Sequence, residues 1–325
     1  MGLCCSSPTA HETQKTHETQ FAHETGLCYE SINLDKVGSL FSQVGAKGIN
    51  QDSALLFQKY GMEDGVLGAV FDGHGLNGHE VSQLVKARLP AVLLSQMKLL
   101  TSAHNSKKTL AMYNIVEKWK EATVSSFKVL DKEIKVTPNL DSQASGTTAV
   151  LVIKQGEDLV IANLGDSRAV LGTMTDQGIK AVPLTIDQKP SVQGEGERIR
   201  QCGGRVVALA REPHIQRVWL PGKNEPGLAM SRAFGDLQLK SHGVIALPEM
   251  SHHRISPDDH FIVLATDGVW DVLSNEEVVS IVASVENPEE AAEALVQGAT
   301  DTWKNKYPNS MVDDCSVVYI SLKNR

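Results

Sequence analysis

The sequence predicts an α+β fold in which antiparallel sheets are covered by helices. Two patterns carry the prediction. Short apolar β runs at 147–153, 159–162 and 168–171 follow one another with gaps too short for crossover helices, so these strands should lie antiparallel. Helical stretches come in pairs, one at 77–97 and 110–130 and another opening at Ser274 and Asn287, so helices and strands occur in blocks. With 325 residues, 41% of them hydrophobic, the chain can bury a sizeable core.

The chain opens Met1-Gly2-Leu3-Cys4-Cys5-Ser6, which fits N-myristoylation at Gly2. One myristoyl chain binds a membrane only marginally, and residues 7–30 supply no basic patch, so Cys4 and Cys5 are the expected palmitoylation sites. Such acylation implies the cytoplasmic face of the plasma membrane, with cytosol or nucleus as further locations where lipidation is incomplete. His11-Glu12-Thr13, His17-Glu18-Thr19 and His23-Glu24-Thr25 then repeat in a stretch almost free of apolar residues. It reads as a spacer rather than a metal site. Residues 1–30 are thus expected to be a lipidated, disordered spacer and 31–325 the folded domain.

Within that domain, Lys47-Gly48-Ile49-Asn50-Gln51-Asp52 leads into a strand at 53–57, and Val66–Phe71 reads as a buried strand. In the helix at 77–97, Asn77 and Glu80 resemble a capping box, and Val81, Leu84, Val85, Leu89, Val92 and Leu93 form the apolar face. Pro90 is expected to kink it. The helix at 110–130 turns Met112, Val116, Trp119, Phe127 and Leu130 inward. After the three β runs, residues 186–228 break the regularity. A short helix at 195–202 is closed by Gly203-Gly204, and the polar stretch 211–227, with Pro213, Pro221 and Pro226, reads as an exposed loop or flap. Trp219 there is either an exposed contact or an anchor. Strands at 261–265 and 316–322 bracket two helices, one with a Ser274/Glu277 capping box, the other with Ala291, Leu295, Ala299 and Trp303 on one face.

The chemistry gathers at strand ends. The 66–71 run stops at Asp72-Gly73-His74-Gly75, and the 261–265 run stops at Thr266-Asp267-Gly268, with Asp271 beyond. Asp313-Asp314 precede the last strand, and Asp52 precedes an early one. Unpaired buried carboxylates are strongly disfavoured, so strands that each end in aspartate point to cations that gather them. Asp72 and His74 lie two residues apart, on one side of an extended chain, which suits a carboxylate on a cation with an imidazole trading protons beside it. The candidate ligands are oxygens with no clustered cysteine or histidine, a donor set that selects Mg²⁺ or Mn²⁺ over zinc. A net charge of −8 argues against nucleic acid as a partner, and no apolar run approaches the ~20 residues of a membrane helix. Five scattered cysteines, Cys4, Cys5, Cys28, Cys202 and Cys315, lack zinc spacing and suit a reducing compartment; Cys202 and Cys315 read as buried small hydrophobes.

Seven segments occur in order: Gly48-Ile49-Asn50-Gln51-Asp52, Phe71-Asp72-Gly73-His74-Gly75, Ser145-Gly146-Thr147-Thr148-Ala149, Gly165-Asp166-Ser167-Arg168-Ala169, Leu228-Ala229-Met230-Ser231-Arg232-Ala233-Phe234-Gly235-Asp236, Thr266-Asp267-Gly268-Val269-Trp270-Asp271 and Asp313-Asp314-Cys315-Ser316. Together they closely resemble the type-2C metal-dependent serine/threonine protein phosphatases, plant members most of all. The resemblance implies a central β-sandwich flanked by helix pairs, four layers α-β-β-α, with a flap at about 186–228 in a catalytic domain over 31–325. It implies two Mg²⁺ or Mn²⁺ ions and a weaker third. Asp72 resembles the carboxylate bridging both ions, Gly73 the backbone-carbonyl ligand, and Asp267 and Asp313 the remaining direct carboxylates. Asp52 resembles an outer carboxylate acting through water, and Asp271 a ligand of the third ion. His74 resembles the general acid, and Lys47 stands where many members hold phosphate with arginine. Gln51 replaces a glutamate common in the family. Asp166, Ser231, Arg232 and Asp236 read as structural, Asp166 as a turn residue bonded to Arg168 or nearby backbone. The expected activity is hydrolysis of phosphoserine and phosphothreonine in proteins, water attacking phosphorus directly, by a monomer that needs no nucleic acid. The alternatives are a membrane-tethered scaffold of the same fold and a hydrolase of small phosphoesters.

Overall fold

The computed structural model describes residues 37–105, 115–308 and 311–323. The chain divides into two units, Met1–Asn33 and Leu34–Arg325, and every described residue belongs to the second. Gly2, Cys4, Cys5, the His-Glu-Thr repeat and Met112 lie outside the described residues. In chain order the elements are β1 (Gly38–Gln43), β2 (Ser53–Gln58), β3 (Val66–Phe71), β4 (Gly73–His74), α1 (Gly78–Asn105), α2 (Ile115–Val136), β5 (Gly146–Thr147), β6 (Ala149–Gln155), β7 (Asp158–Leu164), β8 (Arg168–Thr175) and β9 (Gly178–Pro183). Then come α3 (Glu195–Gln201), β10 (Arg205–Leu209), β11 (Glu212–Trp219), β12 (Pro226–Leu228), β13 (Phe234–Gly235), α4 (Leu237–Lys240), β14 (Glu249–Arg254), β15 (Asp259–Ala265), α5 (Asp267–Trp270), α6 (Asn275–Ala283), a 3-10 turn (Pro288–Glu290), α7 (Ala291–Lys306) and β16 (Cys315–Ser321).

Two five-stranded sheets, ordered β1-β16-β15-β8-β9 and β14-β7-β6-β3-β2, form the centre, and all their strand pairings are antiparallel. Alternation along each strand explains the layering. Val66 and Val70 of β3 pack with Ile262 and Leu264 of β15 and with Val318 and Ile320 of β16, filling the space between the sheets. The intervening residues Phe261, Val263, Ala265, Val317 and Tyr319 face the other way, onto Val278, Val279 and Val282 of α6 and Leu295, Val296 and Ala299 of α7. α1 and α2 pack against each other and against the second sheet, with Val81, Val85, Leu89, Trp119, Phe127 and Leu130 buried. The result is the four-layer α-β-β-α arrangement.

Several local expectations change. The strands β7 and β8 are not partners: residues 165–167 carry the chain from one sheet to the other, so β8 pairs with β15 and β9. A short gap forbids a crossover helix, but it does not forbid a step between stacked sheets. α1 runs on through Pro90 to Asn105, and the Pro90 carbonyl accepts from the buried Tyr60 hydroxyl at 2.7 Å. The Asn77 amide donates to the Asp141 carbonyl (2.9 Å), tying the helix start to a neighbouring loop in place of a reciprocal cap. At α6 the reciprocal Ser274/Glu277 box forms as the sequence predicts. The polar stretch 211–227 is mostly strand: β10, β11 and β12 make a three-stranded antiparallel ribbon. Trp219 anchors it, buried with its indole N–H donating to the Val207 carbonyl at 2.9 Å. Cys315 is buried, but Cys202 is exposed at the end of α3.

Candidate metal centre and active site

Strand register brings the chemistry to one end of the sandwich. Ala265 pairs with Val317, so Asp267 and Asp313 leave their sheet at the same edge. Gln43 pairs with Cys315, and Arg168 with Ala265, which brings the loop carrying Lys47 and the turn carrying Asp166 to that edge as well. In the facing sheet Ser53 pairs with Phe71, which sets Asp52 beside Asp72. A cavity of about 1150 Å³ opens there, and its lining includes Lys47, Asp72, Gly73, His74, Asp166, Lys189, Asp267, Asp271 and Asp313. All the predicted site residues of the folded domain therefore converge except Asp52, which sits behind the wall.

Backbone contacts fix the floor. The Asp72 N–H donates to Thr148 Oγ1 (3.0 Å) and its carbonyl accepts from the Thr148 N–H (2.9 Å). Gly73 is hemmed in: a Cβ there would stand 2.4 Å from the carbonyl oxygens of Gln51 and Gly78, so only glycine fits. Asp52 is buried and accepts from Thr266 Oγ1 at 2.7 Å, next to Asp267. Burial, with the charges of Asp267 and Asp314, pushes the Asp52 carboxyl up to about 8 against the pull of its bonds to Thr266 and Ser316. Burial first, then Asp52 and Asp166, raises Asp72 well above the usual carboxylate range. Asp267 is raised likewise, by burial and then by Asp72 and Asp166.

The two neighbouring aspartates part company. Asp314 spends both oxygens on backbone, accepting from the Gly45 N–H (2.7 Å) and the Gln51 N–H (2.8 Å). Asp313 faces the cavity, where Lys47 Nζ lies 2.5 Å from each of its oxygens. Lys47 is thus seated on a carboxylate, and an ion that takes Asp313 as ligand must displace it. Burial pulls the Lys47 ammonium down, but its bond to Asp313 and the surrounding carboxylates leave it raised. Gln51 donates from Nε2 to the Gly75 carbonyl (2.8 Å) and helps to shape the loop after His74.

Two residues read from sequence as structural belong to this site. β13, β5 and β4 form a small sheet in which Gly146 stands between His74 and Gly235. It sets His74 Nε2 2.6 Å from Asp236 Oδ2, the latter buried. A Cβ on Gly146 would come within 2.4 Å of that Asp236 oxygen, so the glycine makes room for the pair. Asp236 holds a left-handed backbone, φ 46°, uncommon for a non-glycine residue and frequent at functional sites. Burial lowers the His74 imidazole, but the charge and hydrogen bond of Asp236 outweigh it and leave it raised. Asp166 is not bonded to Arg168, which is held by Asp187 (2.7 and 2.8 Å) and Asn275 (2.8 Å). Asp166 instead points one oxygen at Lys189 (3.4 Å) and keeps the other buried without a partner. The only sequence signal for either was membership of a recurrent motif; a separation of 162 positions along the chain hides the contact of His74 with Asp236.

Among the described residues no three His, Cys, Asp or Glu side chains already stand as a ready-made ligand shell. The cavity lining includes Asp72, Asp166, Asp267, Asp271 and Asp313 near the ammonium groups of Lys47 and Lys189; Asp236, Asp314 and Glu212 also line it but are engaged by His74, backbone N–H groups and Arg217. An all-oxygen donor set with excess negative charge, and with carboxyls raised by burial, fits divalent cations of the magnesium kind.

A family model described as protein phosphatase 2C matches residues 50–303. The chain belongs to the protein phosphatase 2C family. Among its relatives, probable protein phosphatase 2C 12 of Oryza sativa subsp. japonica is 48% identical over 99% of this chain and 92% of its own length. Probable protein phosphatase 2C 72 of Arabidopsis thaliana is also 48% identical, over 100% of this chain and 99% of its own. A crystal structure of serine-threonine phosphatase 2C from Toxoplasma gondii superposes with a TM-score of 0.78 at 25% identity, covering 90% of this chain and 96% of that one. For a phosphatase 2C chain, an acid-floored cavity at the end of the β-sandwich is the place to look for catalysis.

Proposed function

We propose that this cavity is the active site, with Asp72, the Gly73 carbonyl, Asp267 and Asp313 holding two divalent cations, Mg²⁺ or Mn²⁺. Asp52 supports them from behind, and Asp271 serves a weaker third. The chain is an enzyme of the metal-dependent serine/threonine protein phosphatase family and hydrolyses phosphoserine and phosphothreonine in proteins. Divalent cations held there would supply positive charge opposite the phosphoryl oxygens and would acidify the water that attacks phosphorus. The chain's own part is to place them, to hold the phosphoryl group and to move one proton. Lys47, released from Asp313, is a point charge for that group and lacks the bidentate fork of arginine. His74 protonates the departing serine or threonine oxygen. Its Nε2 is engaged by Asp236, and its Nδ1 has no protein partner.

The observation that carries this reading is the convergence of Asp72, Asp267 and Asp313, 241 residues from first to last by number (313 − 72), on one cavity beside His74. With every direct ligand position filled, a scaffold reading has no missing carboxylate to rest on. The test is hydrolysis of a phosphothreonine peptide by the purified chain with Mn²⁺, with and without chelator, and of a small phosphoester in parallel. Chelator-sensitive release from the peptide is the expected result; release from the small ester alone would assign a different substrate class. Acylation at Gly2 and at Cys4 or Cys5, placing the enzyme at the cytoplasmic face of the plasma membrane, completes the proposal, and the motif at the start of the sequence supports it.

A further inference from the structure

We propose that the α7 side of the catalytic cavity is a docking surface for a large apolar residue flanking the phosphorylated residue of a protein substrate. This rests on the phosphatase reading above and names a feature of its substrates. The cavity, about 1150 Å³, is at the upper end of pockets that enclose whole ligands and far exceeds the needs of a phosphoryl group. From the flap region it is lined by Glu212, His214, Gln216 and Arg217, together with Ile215 and the buried Leu228 and Met230. Trp303 and Tyr307 at the end of α7, with Met311 and Ile49, line it as well. Tyr307, Met311 and Ile49 are 46%, 65% and 65% exposed while lining that cavity, and exposed apolar side chains gathered at one site mark interaction surfaces.

This wall is also held in place. The Trp303 indole N–H donates to the Gly268 carbonyl at 2.6 Å, and Lys306 Nζ donates to the Val272 carbonyl at 2.8 Å. Both acceptors lie in or just after α5, the helix that begins with Asp267. The Tyr307 ring sits 5.5 Å from the Trp303 ring. The aromatic pair is therefore fixed relative to a cation-holding carboxylate, so little side-chain freedom is lost when a ligand covers it. Its continuity with the catalytic cavity selects the occupant: a chain that seats its phosphoryl group on the floor must lay its flanking residues along these walls. Covering about 60 Å² of apolar surface is worth about tenfold in affinity.

The test compares two phosphothreonine peptides that differ only in flanking residues, leucine and phenylalanine in one and serine in the other, with the full chain and Mn²⁺. The parent enzyme should favour the apolar peptide about tenfold in kcat/KM, mostly through KM. Tyr307→Ser combined with Met311→Ser should bring the ratio near one, whereas His214→Ser on the flap side should leave it near tenfold. Because the readout is a ratio, a general loss of activity does not move it. A parent ratio of one, or a ratio that survives the double substitution, overturns the docking surface. If a small phosphoester and both peptides are hydrolysed without preference, only this inference falls; if none is hydrolysed, the phosphatase reading falls with it.

Discussion

His74 and Asp236 set the terms at the scale of single residues. An imidazole held by a buried carboxylate keeps one orientation and retains its proton more readily, both useful to a group that must protonate a leaving alkoxide. His74→Ala should slow hydrolysis of a phosphothreonine peptide by about 10² to 10⁴. It should slow p-nitrophenyl phosphate much less, because that leaving group departs without an acid. Equal losses on the two substrates would remove the acid role. The aspartates that end strands were legible in the sequence because each sits at the end of an apolar run, where a carboxylate has a cost to explain. Asp236 was not, since its neighbours Phe234 and Gly235 look like an ordinary turn, and its partner comes from a distant strand. Asp314 shows the converse. It is an aspartate like its neighbour Asp313, yet two backbone N–H groups engage it, a fact visible only once the Gly45–Gln51 loop is folded against it.

Among the elements, the flap depends on a clasp at its base. Glu195, at the start of α3, accepts from Arg198 (2.6 and 2.8 Å), Arg232 (2.8 and 3.0 Å) and the Ser231 hydroxyl (2.5 Å). Burial raises its carboxyl, but the bonds from Arg232, Arg198 and Ser231 win and bring it down to about 2. A carboxyl whose folded value lies below its unfolded one stabilises the protein above the unfolded value, and that stability is lost as pH falls through the folded value. Glu195 thus contributes fully above about pH 4.5, and its contribution fades between there and about pH 2. Glu195→Gln should lower the Tm at pH 7, by several degrees if the loss is about 2–3 kcal/mol, and should flatten the fall of Tm between pH 5 and 3 relative to the parent. A Tm difference that stays constant across that range would show that the clasp is not ionic. The helix α3 and its glycine stop were legible from spacing alone. The strands β10 to β12 were not, because prolines and charges suppress the strand signal; Val218 and Leu228 pack into a small core with Ile199, Met230 and Leu239, and Trp219 adds an anchor that the pattern does not show.

At the scale of the whole molecule, the sandwich works as a device for bringing chain ends together. Two stacked antiparallel sheets place the ends of β3 and β15 and the start of β16 on one rim, so residues far apart in sequence share a cavity. Antiparallel sheets covered by helices were legible because strands and helices come in clear blocks, while the four-layer sandwich was legible only through the resemblance that the motifs carry. The passage of β8 into the opposite sheet was not, since period-two patterning is the same in either sheet. Beyond the fold, the acylation motif makes a separate prediction: in cell fractionation the parent chain should be in the membrane fraction, and Cys4→Ser with Cys5→Ser should move it to the soluble fraction. Full membrane retention by that double variant would exclude palmitoylation as the second anchor. The central claim is that the converging carboxylates hold divalent cations, and calorimetric titration with Mn²⁺ in the absence of substrate tests it most directly. The parent chain should bind Mn²⁺ at the cavity, and Asp267→Asn, folded by circular dichroism, should bind at least about tenfold more weakly. Equal Mn²⁺ affinity in the two proteins, or none in the parent, would contradict the account.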